Sequence, residues 1–152
     1  MSLIKENDIQ TRLLPENIIV LVHGNNGSPT DFDLMEKILF QKYVEDEVLI
    51  IKSAANCKST SKGIEIGGKT LAQEIIDILS SYELHPHVTK YKFSMVGHSL
   101  GGLYGRYSLV YLMDGLTYLN IEYVDFVTIC TPHLGSRRPT AQTTWKVKKL
   151  FI

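Results

Sequence analysis

Gly97-His98-Ser99-Leu100-Gly101 sets a serine between two glycines, one residue from each. A serine hydroxyl is a weak nucleophile until geometry and a base activate it. The G-x-S-x-G spacing supplies the geometry when the serine stands on a sharp turn between a strand and a helix, with its Oγ clear of the backbone. Gly97 and Gly101 let such an elbow form and let the helix approach the strand closely. The context fits: the strand-like Phe93-Ser94-Met95-Val96 precedes the motif, and a helical pattern with further small residues at Gly102 and Gly105 follows it. Attack on an acyl carbon creates an oxyanion, which needs backbone N–H donors aimed at it. One donor is the residue after the nucleophile, Leu100; the other comes from the loop after an earlier strand. Leu21-Val22-His23-Gly24-Asn25-Asn26-Gly27 reads as such a loop and makes Asn25 the second donor. The competing reading, a glycine-rich turn with an incidental serine, leaves the pairing of these two loops unexplained.

The other chemistry-bearing residues read as structural. His23 is expected to fix its loop, and His98 to be a packed, hydrogen-bonded side chain. His85 and His87 flank Pro86 in a solvated turn without further ligands, so no metal site is expected. Cys57 and Cys130 form no CxxC, and Cys130, ending an apolar run, is expected to be a buried thiol. Gly63-Ile64-Glu65-Ile66-Gly67-Gly68-Lys69-Thr70 fits the G-x-x-x-x-G-K-[ST] pattern of a phosphate-binding loop. Such a loop must follow a buried strand directly, whereas Lys58 to Lys62 are polar, so no nucleotide and no other cofactor is expected.

These residues need a sheet to hold them. Ile18–Val22 is a continuous apolar run, β-branched except at Leu21, too short for a buried helix, and predicts a central strand. Ser28-Pro29-Thr30-Asp31 has the form of a helix start: serine cap, proline in the first turn, an acid three residues on. Met35, Ile38, Leu39 and Lys42 then share one helical face. Val48–Ile51 predicts a strand, and Lys52 to Lys62 a loop. Leu71, Ile75, Ile78, Leu79 and Tyr82 predict an amphipathic helix. Tyr91–Val96 and Tyr123–Cys130 predict two more strands, with a turn and helix from Gly97 to about Met113 between them. Strands alternating with helices define an α/β domain with a mainly parallel sheet of about four strands. The expected organisation is an N-terminal extension over 1–17, the catalytic-type domain over 18–136 and a tail over 137–152.

Sixteen Lys and Arg balance sixteen Asp and Glu, which argues against a general nucleic-acid binder. The tail is the exception: Arg137, Arg138, Lys146, Lys148 and Lys149 face no acid from residue 126 onward. It reads first as a solvated linker and second as a contact for an anionic membrane surface. No apolar run approaches the ~20 residues of a membrane-spanning helix, and the first residues lack the apolar region of a signal peptide. The expected compartment is cytoplasmic, peripheral on membranes or lipid droplets if the tail engages them.

His23-Gly24-Asn25-Asn26-Gly27-Ser28-Pro29, the Gly63-Ile64-Glu65 to Leu71-Ala72 segment, Val96 to Tyr107, and Thr131-Pro132-His133-Leu134-Gly135 occur in that order. Together they resemble the lipase-like "putative serine esterase" family of the α/β-hydrolases, over about Ile18 to Pro139. The resemblance implies the central part of a hydrolase sheet and a serine that attacks carboxylic esters of lipids. It carries Ser99 over as nucleophile, with Asn25 and Leu100 as oxyanion donors. The family's triad runs Ser, then Asp or Glu, then His. After Ser99 only Asp114, Glu122, Asp125 and His133 are available. Asp114 falls at the far end of the helix and Asp125 at the wrong end of its strand, while the resemblance makes His133 part of a structural loop. The triad acid and base are thus expected to be absent, and the chain is expected to be a fragment. A non-catalytic hydrolase-like module binding lipid or a partner is the alternative.

Overall fold

The computed structural model describes residues 12–136. The elements run β1 (Asn17–Val22), α1 (Asp33–Leu39), β2 (Val48–Lys52), α2 (Ile64–Ser80), β3 (Tyr91–His98), α3 (Leu100–Gly115) and β4 (Ile121–Ile129). All strand pairs are parallel, in the order β2-β1-β3-β4. The continuous apolar run of β1 follows from its place: Ile18, Val20, Leu21 and Val22 are all buried. Strand β3, also internal, alternates instead, with Tyr91, Phe93 and Met95 turned to the core and Lys92 and His98 outward. Helices α2 and α3 cover one face of the sheet through Leu71, Ala72, Ile75, Leu79, Leu103 and Tyr104.

The chain leaves β1 toward β2 on one side and returns through α2 to β3 on the other. The two crossovers diverge at the C-terminal ends of β1 and β3. Such a reversal of strand order is where α/β sheets hold their ligands. The loops carrying His23–Gly27 and Ser99 flank it.

Before β1, Leu14 is buried in the core and its N–H donates to the Glu83 carbonyl at 2.8 Å. The predicted helix start at Ser28 is a single tight turn over Pro29–Phe32, with the Asp31 carboxylate accepting from the Ser28 N–H at 3.3 Å. Helix α1 departs from expectation. It ends at Leu39, buries none of its residues, and leaves Leu34 70% and Ile38 47% exposed. Phe32 anchors its entry, and Lys52 pairs with Asp33 and Glu36 at 2.8 and 2.6 Å. Strand β4 is exposed along almost its whole length: among the described residues it forms one edge of the sheet, and little packs on its faces. Cys130, at its end, is therefore exposed and not a buried thiol. The tail over 137–152 lies outside the described residues.

Candidate active site

Ser99 follows the last residue of β3 and caps α3, with φ 53° and ψ −120°. A serine holds that left-handed φ only where its surroundings impose it, at about 1–3 kcal/mol. Three constraints do so. The Ser99 N–H donates to the Ile129 carbonyl at the end of β4, at 2.8 Å. The Ser99 carbonyl accepts from the Gly102 N–H at 3.2 Å. The first turn of α3 lies so close to β1 that a Cβ on Gly101 would collide with the Val22 carbonyl. Glycine at 101 is thus a requirement of close approach, as the motif implied.

The loop after β1 reaches the same point. A Cβ on Gly24 would stand 2.9 Å from the Ser99 Cβ and 3.0 Å from the His98 carbonyl oxygen. Asn25 follows in the exposed part of this turn, and Asn26 adopts a left-handed φ of 56°. Among the described residues, neither the Asn25 nor the Leu100 backbone N–H has an acceptor. Leu100 opens α3, where the first N–H groups of a helix carry no intrahelical bond.

His23 is buried, with Nδ1 2.9 Å from the Gly24 carbonyl and Nε2 3.5 Å from Cys57 Sγ. It fixes the loop, as expected. His98 departs from expectation: its side chain is exposed and has no hydrogen-bond partner among the described residues. It projects from the sheet face that α2 and α3 leave uncovered. There, with Ile129 and with Phe32, Leu34, Met35 and Ile38 from α1 and its entry, it lines an apolar groove of about 540 Å³.

The acids after Ser99 are distant. Asp114 lies fifteen residues along α3, about 22 Å at 1.5 Å per residue. Asp125 sits mid-strand in β4, beside Ser94, about 16 Å before the elbow at ~3.3 Å per residue. His133 is tied elsewhere, with Nε2 3.1 Å from Thr128 Oγ1 and Nδ1 3.5 Å from the Arg106 guanidinium. The stretch resembling a phosphate loop is helical from Ile64 on, with Gly67 and Gly68 buried against Tyr104 and Tyr107. Lys69 pairs with Glu65 at 2.8 Å. Among the described residues, no group of three or more His, Cys, Asp or Glu is placed to hold a metal ion.

Glu74 is a positioning residue that the sequence reading missed. One carboxylate oxygen accepts from the Ala54 and Ala55 N–H groups at 2.8 and 3.0 Å, and the other from the Ser53 hydroxyl. The Tyr104 hydroxyl donates to the Thr60 carbonyl at 2.9 Å, and Thr60 Oγ1 accepts from the Asn26 N–H at 3.3 Å. Helices α2 and α3 thus brace the loop after β2, which in turn braces the loop carrying Asn25. The available signal was an acid at position 74 beside the buried Leu71, Ile75 and Leu79 stripe.

A parallel sheet with a strained serine at its strand-order reversal defines an α/β-hydrolase-type domain. Residues 14–151 match the family described as "Putative serine esterase (DUF676)", and the chain belongs to that family. It is 33% identical over 130 residues to "Putative lipase C4A8.10" of Schizosaccharomyces pombe, covering 78% of this chain and 16% of that protein. It is 31% identical over 133 residues to "Putative lipase ROG1" of Saccharomyces cerevisiae, covering 84% of this chain and 18% of that protein. "Putative lipase YDL109C" of the same yeast is 34% identical over 125 residues, covering 78% and 18%. The chain therefore spans less than a fifth of the length of these relatives. No described helix is long and apolar enough to cross a membrane.

Proposed function

We propose that this chain carries the nucleophile and oxyanion site of a serine carboxylic-ester hydrolase acting on lipid acyl esters. The observation that carries the reading is the strained Ser99 backbone at the strand-order reversal, with the Gly24 loop against its Cβ. Ser99 Oγ attacks the ester carbonyl, and the Asn25 and Leu100 N–H groups receive the oxyanion. Collapse of the tetrahedral intermediate releases the alcohol and leaves the acyl group on Ser99. The lipid class rests on the names of the relatives and on the apolar groove beside His98.

Proton transfer is the weak step for these residues alone. Neither Asp114 nor Asp125 is placed to orient a base, and His133 is held by Thr128 and Arg106. In the triad template, loss of these partners leaves ~10³–10⁴-fold catalysis over water, from the oxyanion hole and binding. The same observation favours the second reading, a hydrolase-like module that binds acyl lipid without turning it over. Assay with an activated aryl ester and with a dispersed glycerolipid separates the two. The expected result is slow aryl-ester hydrolysis that Ser99→Ala removes, with no lipid hydrolysis. Aryl-ester hydrolysis equal in the parent and Ser99→Ala chains overturns the enzyme reading.

A further inference from the structure

We infer that Cys57 is a covalent modification site for soft carbon electrophiles, of the α,β-unsaturated carbonyl class, with His23 as its base. A carbonyl oxygen only accepts, so the 2.9 Å contact between His23 Nδ1 and the Gly24 carbonyl places the ring proton on Nδ1. In the neutral ring, Nε2 then carries the free lone pair. It lies 3.5 Å from Cys57 Sγ, within reach of the thiol hydrogen. Nucleophile, base and a group that orients the base are thus arranged in series, the pattern that activates a thiol or hydroxyl. His23 is 1% exposed and so is locked in this pose, while Cys57, in the turn from Ala54, is partly buried and keeps some solvent contact. The pair is separate from Ser99, although Gly24, which His23 holds, packs against the elbow.

In the reaction, the sulfur forms a bond to the β carbon of the electrophile while the thiol proton passes to His23 Nε2. The π pair of the C=C bond moves to the α carbon, which takes the proton back from the imidazolium. The product is a thioether, and nothing is oxidised or reduced.

Cys130 provides an internal reference. It is more exposed than Cys57 and makes no side-chain hydrogen bond among the described residues. The 152-residue chain is treated with limiting N-ethylmaleimide, and adducts at the two cysteines are timed by peptide mass mapping. The expected result is that Cys57 reacts about tenfold or more faster than Cys130 in the native chain, less than the ~10²-fold low end of a general-base contribution because Cys57 is the less exposed thiol. The ratio falls to near one in denaturant, a comparison that needs no variant. In His23→Gln, checked for native circular dichroism, Cys57 slows to the Cys130 rate while Cys130 is unchanged. A native Cys57 that reacts no faster than Cys130, or a folded His23→Gln chain with undiminished Cys57 reactivity, overturns the proposal.

Discussion

Ser99 holds a backbone conformation that costs a serine energy and a glycine little. The φ of 53° with ψ −120° is imposed by the Ile129 carbonyl and by the close approach of α3 to β1. Ser99→Gly is therefore expected to stabilise the fold by about 1 kcal/mol, the released strain less the added freedom of the unfolded glycine. A urea titration that finds Ser99→Gly less stable than the parent contradicts this account of the elbow. Around Ser99 the sequence was informative where a residue type answers to one steric demand. Gly97, Gly101 and the Gly24 turn were legible because no other side chain fits. The environment of His98 was not, because exposure there depends on what covers a sheet face, which local spacing does not report.

At the scale of elements, the loop after β2 is the hidden support of the site. Glu74 accepts three hydrogen bonds from Ser53, Ala54 and Ala55. Glu74→Ala leaves those donors unmatched and is expected to cost about 2–3 kcal/mol, while Glu74→Gln keeps an acceptor and loses much less. Equal stability of the two variants by chemical denaturation sinks this role. The Tyr104 hydroxyl closes the same brace. Its burial pushes its pKa up to about 12. The folded state thus keeps a proton that the unfolded state, near 10, gives up. Stability is full below pH 10 and falls between about 10 and 12, at up to ~1.4 kcal/mol per pH unit for this one group. Tyr104→Phe is expected to flatten that alkaline limb while losing the Thr60 bond at all pH values. An unchanged limb in alkaline melts contradicts it. Strands β1 and β3 and helix α2 were legible because their patterns answer to burial within the described domain. Helix α1 was not: the Met35, Ile38 and Leu39 face has the right period but stands open.

At the scale of the molecule, the four strands of the described residues end on one side in an edge without a strand partner among those residues. Tyr123, Val124, Phe126, Val127 and Ile129 of β4 are all more than a third exposed. An exposed apolar edge with free backbone groups is a template for strand pairing between chains. The chain is expected to associate with rising concentration, and Val127→Lys to suppress this. A parent chain that sediments as a monodisperse monomer at every concentration contradicts the expectation. The misreading of Cys130 has the same origin. An apolar run signals burial only if something covers the faces of its strand: the edge strand β2 buries Val48 and Ile51, whereas among the described residues β4 is little covered.

Under the proposed function, Ser99 is a nucleophile poised for acylation, in a chain whose own residues offer it little proton transfer. An activated aryl ester brings a leaving group that needs no acid, so acylation proceeds, whereas deacylation by water still needs a base. Incubation of the 152-residue chain with such an ester, followed by intact and peptide mass analysis, reads both halves at once. A single acyl group is expected to accumulate on Ser99 and to be absent from Ser99→Ala. Acyl groups spread over surface lysines with Ser99 unmodified, or rapid turnover with no trapped acyl-serine, would contradict it.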